Sequence, residues 1–188
     1  PLYQDALPQK AYTLTHDQLS GIHEILKDMK SRKIMFRLVQ GDVGCGKTMV
    51  AIASLYACAL SGYQAVFLAP TEILAKQHYL NLKEQNLPVS YYVSSLNSKT
   101  KKEVLDGLKD GSLPLVVGTH ALFQENVEFN RLGLVIIDEQ QRFGVKQRRS
   151  LLEKGQNVDF LMMSATPIPR TYAHFLFGDM DITNIKQM

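Results

Sequence analysis

The residues best suited to chemistry form the segment Gly41-Asp42-Val43-Gly44-Cys45-Gly46-Lys47-Thr48. Its spacing is that of a phosphate-binding loop, in which a glycine and four further residues precede Gly-Lys-Ser/Thr. Glycines let backbone N–H groups curl around a phosphate without Cβ clashes. Lys47 can reach the terminal phosphates of a nucleotide, and the Thr48 hydroxyl can ligate Mg²⁺. The alternative is a glycine-rich turn that binds nothing.

The segments on either side of this loop favour phosphate binding. Residues 34–40 are mostly apolar, as in a buried parallel strand. Residues 49–60 are rich in Ala and Leu, which favour helix, and Ser61-Gly62 is a typical helix end. Strand, loop and helix therefore follow in the order that brings a helix N-terminus, with its dipole and free N–H groups, to the phosphates.

Two acidic residues, Asp138 and Glu139, follow the apolar run 134–137. In a phosphate-loop protein the first carboxylate can hold the Mg²⁺ shell, and the second can polarise an attacking water. A pair of solvated acids in a turn is the alternative. Ser164-Ala165-Thr166 ends another apolar run, 160–163, and its small hydroxyl residues could connect the acids with whatever lies above the sheet. Taken alone, this segment is only a turn.

Gln18 and Tyr12, upstream of the loop, could recognise a nucleobase. An amide can donate to and accept from the adenine edge at once, and a tyrosine ring can stack on the base. A polar residue on a helix surface is the alternative for Gln18.

Helix and strand signals alternate along the chain. Such alternation predicts an α/β fold with a mostly parallel sheet and helices on both faces, and ligands that bind at the carboxyl ends of the strands. Gly111 is expected to end one helix, and one apolar helix face is formed by Leu19, Ile22, Leu26 and Met29. The predicted helices are 15–30, 47–60, 71–83, 98–110 and stretches near 145–154 and 169–177; the predicted strands are 34–40, 65–69, 89–93, 115–117, 134–137 and 160–163.

Length and composition fit one large α/β domain of 188 residues, 45% of them hydrophobic. No apolar run approaches the roughly 18 residues of a membrane span, so no membrane partner is expected. The start shows no signal peptide and no initiator Met, which indicates a piece of a longer protein. Cys45 and Cys58 have no His or Cys at metal-ligand spacing, which argues against a metal site on cysteine and fits a reducing cytoplasm.

The net charge of +3 is too small to establish nucleic-acid binding. Two basic clusters are most simply interpreted as solvated helix faces. They are Lys99, Lys101 and Lys102, and Arg142, Lys146, Arg148 and Arg149.

Together the motifs resemble those of superfamily 2 helicases. The segments that carry the resemblance are Ala69-Pro70-Thr71-Glu72-Ile73-Leu74-Ala75-Lys76-Gln77-His78 (motif Ia), Val117-Gly118-Thr119-His120-Ala121-Leu122 (motif Ib), Asp138-Glu139-Gln140-Gln141 (motif II) and Ser164-Ala165-Thr166 (motif III). Within this superfamily, the RecG-type ATP-dependent DNA helicases are similar in two longer runs, Asp138-Glu139-Gln140-Gln141-Arg142-Phe143-Gly144-Val145 and Ser164-Ala165-Thr166-Pro167-Ile168-Pro169-Arg170-Thr171.

The resemblance implies a RecA-like P-loop NTPase fold, with residues 1–180 as the first of two motor domains and 181–188 as the start of a linker towards the second. It implies ATP and Mg²⁺ as cofactors and branched DNA, such as stalled forks and recombination junctions, as the substrate in DNA repair and recombination. The implied partners in the same full-length chain are a second RecA-like domain and a wedge domain. The implied location is the bacterial cytoplasm.

The resemblance also implies roles for individual residues. Backbone amides and hydroxyls of motifs Ia and Ib can bind DNA phosphates without reading the base sequence. The implied catalytic residues are Lys47, Asp138, Glu139 and Gln141; the nucleotide-binding residues are Tyr12, Gln18, Gly41, Asp42, Val43, Gly44, Cys45, Gly46, Lys47 and Thr48; the Mg²⁺ ligands are Thr48 and Asp138. The implied DNA-backbone contacts are Pro70, Thr71, Gly118, Thr119 and His120. The residues implied to couple the nucleotide site to the DNA contacts are Ser164, Ala165 and Thr166.

Three positions depart from the family pattern. Gln141 stands where His is usual, Ser164 where Thr is usual, and Cys45 where Ser is common. Gln141 can still hydrogen-bond to a second motor domain, so we expect altered coupling rather than lost hydrolysis, with an inactivated motor as the alternative. Without the arginine finger of a second motor domain, the 188-residue chain alone is expected to bind ATP weakly, to hydrolyse it very slowly and to unwind nothing.

Other functions fit the sequence less well than the RecG type. The transcription-repair coupling translocase shares the motor and the run Pro167-Ile168-Pro169-Arg170, but it usually has a third acid where Gln140 stands here. A P-loop kinase of small molecules would need an acceptor lid and leaves 69–78 unexplained. A non-catalytic nucleotide-binding module would predict the loss of Lys47, Asp138 or Glu139, and all three are present.

Overall fold

A parallel β-sheet of seven strands organises the described part of the chain. The computed structural model describes residues 16–30, 36–41, 47–138, 149–150, 153–155, 158–164 and 181–185. The helices are α1 (His16–Lys30), α2 (Lys47–Leu60), α3 (Glu72–Glu84), α4 (Ser98–Asp110) and a 3₁₀ helix (His120–Phe123). The strands are β1 (Phe36–Gly41), β2 (Gln64–Leu68), β3 (Val89–Tyr92), β4 (Leu115–Gly118), β5 (Leu132–Ile137), β6 (Asp159–Ser164) and β7 (Asp181–Ile185).

The strand order in the sheet is β3-β4-β2-β5-β6-β1-β7, and every neighbouring pair is parallel. The carboxyl ends of all strands therefore lie at one edge of the sheet. Strands β2 and β4 are buried at every position, which explains why residues 65–68 and 115–117 are continuous apolar runs rather than alternating ones. The predicted α/β class and parallel sheet are confirmed.

Helices cover both faces of the sheet because successive residues of a strand point to opposite sides. Val39 of β1 packs in the core cluster that contains Ile25 of α1 and Leu82 of α3. Its neighbour Leu38 packs in the cluster that contains Leu108 of α4. Helices α1, α2 and α3 thus lie on one face, and α4 and the 3₁₀ helix lie on the other. The prediction of helices on both faces is confirmed.

Local hydrogen bonds fix where α3 and α4 begin and end. Thr71 Oγ1 accepts a hydrogen bond from the Leu74 N–H at 3.2 Å and caps α3. Asn97 Oδ1 accepts one from the Thr100 N–H at 2.8 Å and caps α4. Gly111 ends α4 in the left-handed conformation, with φ of 87°. The predicted bounds of this helix and its glycine end are confirmed.

A buried amide, Gln64, joins three parts of the fold. Its Nε2 donates to the Leu108 and Leu113 carbonyls, each at 2.9 Å, and its Oε1 accepts from the Arg131 N–H at 2.8 Å. Gln64 is only 3% exposed. The side chain therefore ties β2 to the connection between α4 and β4 and to the start of β5.

The structure contains one strand that the sequence pattern does not indicate. Asp181–Ile185 forms β7 at the edge of the sheet, paired with β1, in a stretch where the resemblance implies the start of a linker. An edge strand does not need a continuous apolar run, so polar residues such as Asp181, Thr183 and Asn184 are tolerated there. For this reason no apolar run marks the strand in the sequence.

Helix α1 buries a residue that lies outside its predicted apolar face. Ile25 of α1 is fully buried beside Ile22, although the predicted apolar face does not include it. The predicted helices near 145–154 and 169–177 lie largely outside the described residues. Within the described ranges, no helix has both the length and the apolar character that crossing a membrane requires.

Candidate functional site

The strands that lead into the segments with candidate chemistry all end at the carboxyl edge of the sheet. Backbone hydrogen bonds extend the ladder beyond the strand ends, because the Ala69 N–H donates to the Gly118 carbonyl and the Asp138 N–H donates to the Leu68 carbonyl, both at 2.9 Å. Motifs Ia and Ib thus follow the adjacent strands β2 and β4. The acid motif, motif III and the phosphate loop follow β5, β6 and β1, which are also adjacent.

The phosphate-loop side has the predicted strand-to-helix order. Gly41 is the last residue of β1, and Lys47 is the first residue of α2. The first turn of α2 carries no acidic residue, so its backbone N–H groups and dipole are well suited to an anion. Ser164 of motif III is buried and pairs with Gln40, so the end of β6 lies beside the strand that enters the loop.

Asp138 is the acidic side chain that the structure places at the carboxyl end of β5. Its Oδ2 lies 2.8 Å from Nε2 of His78 in α3, and the two side chains are 16% and 21% exposed, respectively. Since a carboxylate oxygen accepts hydrogen bonds, the His78 Nε2–H is the donor. The imidazole also packs against Phe67 of β2, with ring centroids 4.5 Å apart and ring planes at 40°.

Asp138 has the donor chemistry of a Mg²⁺ ligand, because Mg²⁺ prefers carboxylate oxygens, phosphates and water. Thr48, the other predicted ligand, is the second residue of α2. No group of three or more His, Cys, Asp or Glu side chains that could hold a metal ion occurs among the described residues. Mg²⁺ commonly takes one or two protein ligands and completes its shell with substrate phosphates and water.

On the motif Ia side, the hydroxyl of Thr71 is occupied by the cap of α3. Thr71 itself is exposed and Pro70 is half-buried, so this turn faces solvent at the edge of the sheet. The first backbone N–H groups of α3 lie beside Thr71, and this is the kind of helix start that can contact a phosphate.

On the motif Ib side, the three candidate residues differ in what they can offer. A Cβ on Gly118 would lie 2.1 Å from the backbone oxygen of Tyr92, so this position excludes every other residue for packing reasons alone. Thr119 is buried, and its carbonyl accepts the Leu122 N–H at 3.0 Å. His120 is exposed at the start of the 3₁₀ helix. Of the three, only the His120 side chain faces solvent.

For the other predicted site residues the structure gives at most a position in a helix. Gln18, Lys47 and Thr48 are described through their positions in α1 and α2. Those that lie outside the described residues are Tyr12, Asp42, Val43, Gly44, Cys45, Gly46, Glu139, Gln141, Ala165 and Thr166.

A cluster of aromatic and basic side chains borders α3 on the side of β3. The Tyr79 and Tyr91 rings lie 5.6 Å apart, and Lys76 Nζ lies 5.5 Å from the first centroid and 5.0 Å from the second. The Tyr91 hydroxyl donates to the Glu72 carbonyl at 3.3 Å. Desolvation, together with the Glu72 carboxylate, raises the pKa of Tyr91, so the phenol stays neutral and can donate.

His78 is the site residue that sequence reasoning missed as an individual. It lies inside motif Ia, and its spacing from Ala75 and Leu82 places it on the face of α3 that packs against the sheet. A histidine at a core-facing position is the signal that could have singled it out, because a polar group there needs a partner.

The family is established by comparison with known proteins. Residues 15–175 match the DEAD/DEAH box helicase family, and the chain belongs to that family. The ATP-dependent DNA helicase RecG of Streptococcus pneumoniae is 54% identical over 179 residues, which cover 94% of this chain and 27% of that protein. RecG of Bacillus subtilis is 50% identical over 181 residues, which cover 94% of this chain and 26% of that protein.

A solved structure of RecG bound to a three-way DNA junction matches all of this chain and 25% of that one, with a TM-score of 0.85 and 42% sequence identity. The resemblance to RecG-type helicases and the RecA-like fold are therefore confirmed. The chain spans about a quarter of the length of the curated relatives it matches.

Proposed function

We propose that this chain is the ATP-binding motor domain of a DNA helicase or translocase that uses ATP hydrolysis to remodel branched DNA. The observation that carries the proposal is the order of motifs along one sheet edge. A phosphate loop, an acid and motif III occupy adjacent strands, and two nucleic-acid motifs occupy the next two strands. This order supports a nucleotide and a DNA backbone bound side by side, which a motor requires.

On the nucleotide side, Lys47 holds the terminal phosphates, and the N–H groups at the start of α2 bind their oxygens. Asp138 and Thr48 would hold Mg²⁺, and Glu139 would orient the attacking water. When bound, Mg²⁺ neutralises the charge that develops on the transferred phosphoryl group. Gln18 and Tyr12 recognise the adenine.

On the DNA side, the exposed turn at Pro70 and Thr71 and the exposed His120 are the surface contacts. Gly118 and Thr119 contribute through their backbone, since neither has an exposed side chain. Contacts of this kind bind phosphates without reading the bases, as a motor that works on any sequence requires.

Ser164, Ala165 and Thr166 connect the two sides, and Gln141 reaches towards a second RecA-like domain. The second motor domain and a wedge domain of the same full-length protein are the proposed partners, and the bacterial cytoplasm is the proposed location. The RecG solved on a three-way junction supports branched DNA as the substrate.

The test of ATP hydrolysis compares the complete natural protein with its Glu139→Gln variant. If Glu139 orients the water, Glu139→Gln keeps nucleotide binding, measured by fluorescence titration, and loses turnover by about 10² or more, measured at saturating ATP. Unchanged turnover would remove Glu139 from this role. An absence of turnover in both proteins, with nucleotide binding intact, would favour a non-catalytic nucleotide-binding module.

A further inference from the structure

The contact between His78 and Asp138 crosses the boundary between the two halves of the site. In the strand order, β2 and β4 carry the DNA motifs, and β5, β6 and β1 carry the nucleotide motifs. The boundary runs between β2 and β5. His78 belongs to α3, the helix that starts at Thr71 after β2, whereas Asp138 directly follows β5. The hydrogen bond of 2.8 Å therefore joins an element of one half to an acid of the other.

The imidazole of His78 lies between α3, which carries it, and the sheet. Phe67 of β2 lies under the ring at a centroid distance of 4.5 Å, and Ala75 and Leu82, on the same helix face, are buried in the core. The position of the ring therefore depends on how α3 sits on the sheet. A displacement of α3 along or across the sheet changes the distance between Nε2 and the carboxylate.

The N-terminal end of α3 also contacts the loop after β3. Glu72 accepts hydrogen bonds from the Ser95 hydroxyl at 2.8 Å and the Ser95 N–H at 3.3 Å. The Thr71 cap completes this end. A phosphate bound at Thr71 therefore acts on the first turn of α3, and the second turn of the same helix carries His78.

We propose that His78 is a positioning residue that couples the DNA-facing turn at Pro70 and Thr71 to the acid Asp138. Through one hydrogen bond it fixes the orientation of the Asp138 carboxylate, and it makes that orientation depend on where α3 sits. DNA bound at the start of α3 then favours the orientation used in hydrolysis. By linkage, nucleotide bound at Asp138 changes the affinity for DNA. This inference rests on the proposed function, because it names how the two parts of that site communicate.

Three variants of the complete protein separate this role from a structural one. His78→Phe keeps a ring of similar shape against Phe67 and removes the donor. His78→Gln retains an amide N–H donor. Asn81→Ala changes an exposed residue of the same helix, about one turn further along, and serves as the matched control.

Two readouts are measured for each variant. The first is the ratio of ATP turnover with and without forked DNA. The second is the dissociation constant for fluorescently labelled forked DNA, measured by anisotropy with and without a non-hydrolysable ATP analogue and Mg²⁺. For His78→Phe we expect a turnover ratio about 5- to 20-fold smaller and a DNA affinity that no longer responds to the nucleotide. His78→Gln recovers part of both, and Asn81→Ala matches the unchanged protein.

The outcomes distinguish the coupling from the function on which it rests. If the unchanged protein shows no stimulation by forks, the proposed function itself is refuted. If it is stimulated and His78→Phe keeps both the ratio and the nucleotide-dependent change in affinity, the coupling role is refuted. Equal losses of stimulated and unstimulated turnover would also refute it, since they indicate a general defect. Should His78→Phe fail to fold, His78→Ala gives the same comparison, because the position is partly exposed.

Discussion

Replacing Gln64 with leucine tests how much one buried amide contributes to the sheet that carries the site. The change removes three hydrogen bonds of 2.8–2.9 Å. The Leu108 carbonyl keeps a second donor, the Asn130 N–H at 3.0 Å. The Leu113 carbonyl and the Arg131 N–H lose the bonds that Gln64 makes to them, at positions that water reaches in part.

Leaving a buried polar group unsatisfied costs about 1–3 kcal/mol. Partial solvation of the two groups and the added apolar side chain reduce the sum, so we expect Gln64→Leu to lower the free energy of unfolding by about 2–4 kcal/mol. With a urea dependence of about 2 kcal/mol per molar, the unfolding midpoint would fall by about 1–2 M. Far-UV circular dichroism during urea titration measures this midpoint.

The matched control is Gln77→Leu, the same chemical change at an exposed position of α3. It should change the stability by no more than about 0.5 kcal/mol. A Gln64→Leu midpoint within the error of the Gln77→Leu midpoint would refute the reasoning, because it would mean that water replaces the lost bonds without cost.

Two further predictions concern packing and thiol chemistry. Gly118→Ala should destabilise the protein by about 2 kcal/mol or more, because the added Cβ would meet the Tyr92 carbonyl oxygen at 2.1 Å. The thermal unfolding midpoint should therefore fall, and a midpoint equal to that of the unchanged protein would contradict this. Burial, and secondarily the Asp159 carboxylate, raises the pKa of Cys58 to about 12, so the thiol stays protonated at pH 8.5. In a Cys45→Ser background, Cys58 should resist alkylation at pH 8.5 until urea unfolds the protein, and rapid labelling of the folded protein, followed by mass spectrometry, would refute this.

Much of the fold could be predicted from sequence because its signals are local. The apolar run at 134–137, the Ala-rich stretch at 49–60 and the glycine at Gly111 each fix an element through its own residues. The phosphate loop and the acid pair could be recognised for the same reason, since each motif is continuous in the chain. The edge strand β7 lacks such a signal because Asp181, Thr183 and Asn184 interrupt its apolar residues without a regular alternation.

The contacts across the sheet could not be predicted, because the strand order is not the chain order. His78 and Asp138 are 60 residues apart and meet only because β2 inserts between β4 and β5. Gln64 likewise finds its partners 44 and 67 positions along the chain. The sequence suggests a DNA contact at Gly118, whereas the structure gives a packing reason for the glycine, because a Cβ there would meet the backbone of β3. These features depend on the assembled sheet.

The central claim is that this domain belongs to an ATP-driven motor that acts on branched DNA. The most direct measurement is steady-state ATP hydrolysis by the complete protein with no DNA, with linear duplex and with forked DNA, alongside Lys47→Ala. The account predicts strong stimulation by the fork, weaker stimulation by the linear duplex, and the loss of both in Lys47→Ala. A folded protein that binds ATP but shows equal turnover under all three conditions would contradict it.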